Sequence, residues 1–286
     1  MQIPLTQHAL VVEEGGRVSL QTTHRLPSLK PNMVLVKTHS VALNPHDVKT
    51  LDYYSESGYI PGRDFSGTVH AVGSSVSKSL EVGDRVCGAV SATGGFGAFA
   101  EFVAVCGDLL IKIPDFMSID EAASLGVGTM TAGLALYHTW ELPWPKLPAS
   151  EGGMHVLVYG ELLRLSGCIP ITTCSPRNFP LVHARGAAKA FDYNSPTCVL
   201  DIRSYCGDTL GYILDCIADT GSSQICYEAM ATKGGRYIAL NILPKNISSR
   251  ASIKTEVTNV QTTYGEPVDW KGWTIDARPQ DYQFAC

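Results

Sequence analysis

The sequence predicts an α/β protein in two parts, a mainly β first half followed by a parallel sheet wound on both faces by helices. Three observations carry this. The 286 residues suffice for two domains at roughly 150 residues each. Up to about residue 110, apolar residues alternate or fall in short β-branched runs separated by Gly, Pro and Asp. Beyond a proline-rich stretch at 142–148, strand-like and helix-like runs take turns, a pattern that needs crossovers between parallel strands.

In chain order, the runs at 9–12, 34–41, 68–72 and 99–105 are expected strands. From Ser118 the period changes. Ser118-Ile119-Asp120-Glu121 places Glu three residues after a Ser N-cap, so that each side chain satisfies the other's free N–H. Ala and Leu then continue to Tyr137, predicting a helix or helix pair. Residues 142–148, Leu-Pro-Trp-Pro-Lys-Leu-Pro, cannot extend it, because each proline lacks an N–H and has a fixed φ. The domain boundary is set there. The second half reads as strand 155–159, short helix 161–165, strands 168–174, 187–193 and 212–218, helix 222–230 and strand 236–241. The expected divisions are therefore 1–148, 149–265 and a short return segment 266–286.

Composition narrows the function classes. Twenty-two basic and 27 acidic side chains leave a net charge of −5, which gives no overall pull towards nucleic acid or anionic membrane. The start lacks a basic region leading into an apolar core, and no stretch runs 18 apolar residues unbroken. A soluble, cytoplasmic, monomeric protein is expected. Nine cysteines, an odd count with no C-x-x-C pair, argue against a disulfide framework or a zinc ribbon and for mostly buried thiols.

Three motifs carry a resemblance: Asn44-Pro45-His46-Asp47-Val48-Lys49, Pro61-Gly62-Arg63-Asp64-Phe65-Ser66-Gly67 and Val82-Gly83-Asp84-Arg85-Val86. In order and spacing they resemble the GroES-like catalytic domain of the medium-chain dehydrogenase/reductase superfamily. With Ser175-Pro176-Arg177-Asn178, the run from Gly234 to Asn241 and Tyr264-Gly265-Glu266-Pro267, the chain is most similar to fungal trans-acting enoyl reductases that partner polyketide synthases. The resemblance implies a GroES-like domain joined to a Rossmann-like one. It also implies hydride transfer from NADPH to the alkene of an α,β-unsaturated acyl thioester held on the carrier of a polyketide synthase. A free-standing quinone or 2-alkenal reductase, and an impaired relative that only docks on a synthase, are the alternatives.

Zinc members of the superfamily place a Cys in the first cluster and Gly-His-Glu in the second. Here those places read Asn44 and Gly62-Arg63-Asp64, and neither Asn nor Arg offers the thiolate or imidazole that Zn²⁺ takes. No metal is expected. The resemblance sets His46, Asp47, Val48 and Lys49 against the cofactor; the same residues would otherwise form a loop turned by Pro45 with a solvated Lys49. It makes Gly126, Val127, Gly128, Thr129, Met130, Thr131, Ala132 and Gly133 one wall of the acyl pocket, although such small residues also permit close helix packing. It makes Gln261, Thr262, Thr263, Tyr264 and Gly265 another wall, unusually polar for that task. The proton donor is not identified.

Cofactor choice has an argument of its own. A dinucleotide fold that selects NAD ends its second strand in an acid for the ribose 2′-hydroxyl. Here that strand runs into Ser175, Pro176, Arg177 and Asn178, a set suited to a 2′-phosphate. Tyr193, Leu240 and Asn241 join the cofactor set by resemblance.

The pattern fails at the first strand of the second domain, where a glycine-rich turn and a full helix should hold the pyrophosphate. Only Gly160 remains, Glu161 brings a carboxylate, and residues 162–166 look like the end of a helix whose middle is missing. Between Tyr159 and Cys168 too few residues remain for a parallel crossover, so low stability or a rearranged first strand is expected. Family members also continue beyond the position of Cys286. The nucleotide-binding domain therefore reads as truncated.

Overall fold

The structure is a computed structural model that describes residues 3–53, 56–91, 95–146, 153–158, 162–244, 250–270 and 273–286. Two compact units divide the chain, one of residues 1–131 and 260–286, the other of residues 132–259. The division thus falls inside the helical stretch, ahead of the prolines, and the return to the first unit begins at Val260.

The first unit is β-rich. Strands β1 (Thr6–Val12) and β2 (Val18–Arg25) form an antiparallel pair. β3 (Met33–Ala42), β4 (Asp64–Val72), β5 (Arg85–Ala89), β6 (Phe102–Cys106) and β7 (Ile111–Lys112) make an antiparallel sheet in the order β6-β3-β4-β5-β7. Alternate β-branched residues face inward, Val34 with Val36 and Val103 with Val105, around Phe65, Val69, Val86 and Leu110. Between β3 and β4 the Asn44 to Lys49 segment forms the first turn of helix α1 (Pro45–Tyr53) rather than a loop.

The Ser118 cap is present in both directions, Glu121 N–H to Ser118 Oγ and Ser118 N–H to the Glu121 carboxylate, each at 3.1 Å. The helix it starts is broken into α2 (Ile119–Ala122), α3 (Gly126–Gly133) and a wide π turn over Leu134–Thr139. Residues 260–286 add a 3-10 turn (Val260–Tyr264), the hairpin of β14 (Val268–Trp270) and β15 (Trp273–Ile275), and α8 (Pro279–Ala285).

The second unit is a six-stranded sheet, parallel throughout. Its strands are β8 (His155–Leu157), β9 (Ile169–Thr173), β10 (Lys189–Phe191), β11 (Tyr212–Asp215), β12 (Gly235–Ala239) and β13 (Ile253–Val257). They lie in the order β10-β9-β8-β11-β12-β13. The first strand of the unit is central and the order reverses beside it, the doubly wound arrangement with its switch point between β8 and β11. α4 (Leu162–Leu165), α5 (Phe179–Ala184), α6 (Cys198–Cys206) and α7 (Thr220–Ala229) fill the connections.

Of the two outcomes expected of the short crossover, low stability or a rearranged first strand, the second is not seen. The first strand is not rearranged: β8 pairs in parallel with β9, His155 opposite Ile169 and Leu157 opposite Ile171, and with β11. The strand ends at Leu157, with Val158 still donating its N–H to Ile171 O at 2.8 Å, so the link to β9 falls at the lower bound of roughly 10–12 residues for such a connection. Tyr159, Gly160 and Glu161 themselves lie outside the described residues, as do residues 147 and 148 of the expected linker.

Candidate functional site

In the first unit the candidate residues are organised by two neighbours at the head of β4, Arg63 and Asp64, which are 1% and 2% exposed. Gly62 before them has φ +93°, and a Cβ there would stand 2.3 Å from the Phe99 ring, so only glycine turns the chain inward at this point. One Asp64 oxygen accepts the Asn44 side-chain amide at 3.0 Å and the other accepts the Val127 N–H at 2.7 Å. A single buried carboxylate thus ties the start of α1 to the start of α3. Gly126 is part of the fit, because a Cβ would meet Gly88 O at 2.4 Å and Asp64 Oδ1 at 2.6 Å. Burial raises the Asp64 pKa, and the Asn44 and Val127 hydrogen bonds oppose it, with Arg63 adding to them.

At the helix start, Asp47 accepts the Asn44 N–H at 2.7 Å, a cap that fixes the first turn. His46 and Asp47 turn inward while Val48 and Lys49 face out. Thr50 donates its hydroxyl to His46 O at 2.9 Å and lies 3.3 Å from His46 Nε2. Burial, then the charges of Arg63 and Lys49, lower the His46 pKa to about 4, so the imidazole is neutral at pH 7.

The polar 260–264 turn is explained by its partners. Gln261, Thr262 and Thr263 are buried. Thr262 donates to Asp281 on α8, and Thr263 donates to Val260 O at 2.7 Å with Met130 Sδ at 3.9 Å. The two expected acyl walls are therefore neighbours at Met130 and Thr263. Within the first wall, Gly128 has open space where a side chain would go, and Thr129 is exposed. Ala132 and Gly133 belong to the second unit. Tyr264 has a buried hydroxyl beside Arg63; burial pushes its pKa up to about 12, against the pull of that cation. Gly265 packs on the Tyr282 ring.

In the second unit, Ser175 to Asn178, Tyr193, Leu240 and Asn241 all follow the carboxyl ends of parallel strands. β9 and β10 are neighbours, Thr173 opposite Phe191, and this brings the Ser175 and Tyr193 hydroxyls to 2.9 Å although 18 residues separate them. Arg177 is exposed in the 3-10 turn that follows and Asn178 is half-buried. Leu240 donates its N–H to Asp215 O at 3.0 Å, and the Asn241 side chain accepts the Ile242 N–H.

Asp215, which sequence reasoning missed, organises the end of β11. It accepts the Ile217 and Ala218 N–H groups, the Ser222 hydroxyl and the Tyr237 hydroxyl at 2.8–3.0 Å. An acid closing a strand just before an Asp-Thr-Gly-Ser-Ser helix start was the available signal. Among the described residues, no group of three His, Cys, Asp or Glu side chains could hold a metal ion, and no helix is long and apolar enough to cross a membrane.

Comparison with known proteins gives first the class. Residues 30–115 match the alcohol dehydrogenase GroES-like domain. The fold matches a quinone oxidoreductase from Coxiella burnetii (TM-score 0.69, 23% identity, 88% of this chain and 82% of that one). It also matches the CurK enoyl reductase (TM-score 0.72, 19% identity, 89% and 81%). A β-rich GroES-like unit with a doubly wound sheet is the medium-chain dehydrogenase/reductase architecture. Among sequences, the chain is 41% identical to the trans-enoyl reductase traG of Penicillium crustosum, over 99% of this chain and 84% of that protein. It is 43% identical to the trans-enoyl reductase opdC of Penicillium oxalicum over the same shares. The chain belongs to the trans-enoyl reductase family of the medium-chain dehydrogenase/reductases.

Proposed function

We propose that the protein is a trans-acting enoyl reductase that uses NADPH to reduce the alkene of an α,β-unsaturated polyketide acyl thioester held on the carrier of a polyketide synthase. The observation that carries this is the identity of about 40% with trans-enoyl reductases over almost the whole chain. The chemistry of the first unit is consistent with it. Asp64 spends both oxygens on Asn44 and Val127, and Arg63 beside it, at the place of a zinc ligand's imidazole, is a cation, so this cluster suits a substrate that needs no Lewis acid. An alkene conjugated to a thioester is such a substrate, because its own carbonyl takes up the charge when hydride reaches the β-carbon. The nicotinamide supplies that hydride when bound. The chain's own tasks are to hold the cofactor, through Ser175, Arg177, Asn178 and Tyr193 at the 2′-phosphate and His46 to Lys49 at the other end, and to orient the acyl chain along Gly126 to Gly133 and Gln261 to Gly265.

The test is NADPH oxidation with one enone presented in two forms, as the acyl group on a carrier domain and as a free ketone or quinone, each with and without chelator. Turnover of the carrier-held form, unaffected by chelator, is expected. Turnover of the free enone alone would favour a quinone or 2-alkenal reductase. Binding to a synthase with no turnover of either would favour an impaired docking relative.

A further inference from the structure

Arg63 is among the most buried side chains of the protein, yet its Nε, Nη1 and Nη2 find no hydrogen-bond acceptor within normal geometry among the described residues. A guanidinium carries five N–H donors. Its charge, once buried, must be balanced by what surrounds it. The groups within its electrostatic reach are His46 and Asp47 on α1, Tyr59, the adjoining Asp64, and Tyr264 on the 260–264 turn. Asp64 has committed one oxygen each to Asn44 and Val127. Asp47 keeps Oδ1 buried and without a donor among the described residues, and the Tyr264 hydroxyl stands beside the guanidinium. Its charge thus acts on both the turn that begins α1 and the turn that carries Tyr264, while Asp64, one residue on, fastens α3.

We propose that Arg63 is a positioning residue of the reductase: a fixed internal cation that holds His46 and Asp47 of α1 and Tyr264 in place relative to one another, so that the cofactor segment and the acyl segment keep one geometry. This rests on the reading of residues 46–49 as cofactor contacts and 261–265 as acyl contacts. A purely volume-filling role would be met by any side chain of similar length. A positioning role by charge is met only by a cation.

The experiment uses the full chain as wild type, Arg63→Gln and Arg63→Lys, with the His46 imidazole followed by NMR through a pH titration and its signal assigned by loss in His46→Gln. The groups facing His46 include Lys49 and Thr50 from its own helix and Arg63, the residue before β4. His46 is expected to protonate near pH 4 in wild type and Arg63→Lys, and at a clearly higher pH in Arg63→Gln. In parallel, KM for NADPH should rise about tenfold in Arg63→Gln with a smaller change in kcat, and Arg63→Lys should recover most of it. An unchanged His46 titration in a folded Arg63→Gln protein overturns the proposal. If Arg63→Gln does not fold, the double variant Arg63→Gln/Asp47→Asn removes the facing carboxylate as well. It should fold and melt closer to wild type, and its failure to do so also overturns the proposal. The titration needs no turnover, so a protein that reduces no acyl substrate but shows the His46 shift defeats the functional reading and leaves the Arg63 cluster standing.

Discussion

At the scale of single residues, much of the site follows from side chains taken out of water. His46 is the clearest titrating case. Folded His46 binds its proton more weakly than an unfolded histidine near 6.5, with a pKa of about 4. Its contribution is whole above pH 6.5 and is lost as the pH falls from there towards 4. The shift sets a ceiling of about 3 kcal/mol on that loss. Asp47 and Asp64, raised by burial, act in the opposite sense, so the comparison to make is urea unfolding of wild type against His46→Gln at pH 7 and pH 4.5. The variant should lose less stability between the two. Equal losses would mean that His46 takes its proton as readily folded as unfolded. Arg177 belongs to the same scale. It is exposed in the 3-10 turn after β9, and on the proposed reading its charge would meet a 2′-phosphate. Arg177→Ala should reduce the preference for NADPH over NADH by about one to two decades, corresponding to roughly 1.5–3 kcal/mol. Equal affinities for the two cofactors in wild type would defeat the assignment. Sequence reading placed Ser175 and Arg177 just after β9 because strand ends are legible, whereas Tyr193 was named by resemblance. It saw in Arg63 and Asp64 only the loss of zinc ligands, because a bond from β4 to Val127, 63 positions away, leaves no periodic trace.

At the scale of elements, the cap at Ser118 was fully legible, both reciprocal bonds being encoded within four residues. Its removal is a clean perturbation, since Ser118 and Glu121 are exposed. Ser118→Ala should cost about 1 kcal/mol in chemical denaturation, while Ser124→Ala, a few residues on, should cost less. α6 was not read, although Cys198, Ile202 and Cys206 form a buried stripe at i, i+4, i+8. Two of its three anchors are cysteines, which sequence reading took as buried thiols in general without counting them into a helical apolar stripe. β13 escaped for the reason common to edge strands: only Ile253 of its five residues is fully buried, and alternation fades when one flank meets water. The polar 260–264 turn looked wrong for a pocket wall because its partners, Asp281 and Met130, lie on other elements.

At the scale of the whole molecule, folding and cofactor binding make different demands on the shortened segment after β8. The sheet needs β8 seated between β9 and β11, and the eleven residues from 158 to 168 fall within the roughly 10–12 that such a connection needs at least. Pyrophosphate binding needs several free N–H groups at a helix N-terminus aimed at the ligand. α4 has only four residues, Leu162–Leu165, and Glu161 precedes it with a negative charge. The chain as written should therefore unfold as a cooperative protein and yet bind NADPH weakly. Two proteins separate these properties: the natural chain, and one carrying a glycine-rich turn and a full helix between Tyr159 and Leu162. Calorimetric titration with NADPH should give micromolar affinity only for the second, while the thermal transitions of both remain sharp. Micromolar binding by the natural chain would mean that the phosphates are held without a helix N-terminus at this strand. A broad, uncooperative melt of the natural chain would mean that the short crossover does not sustain the parallel pairing of β8.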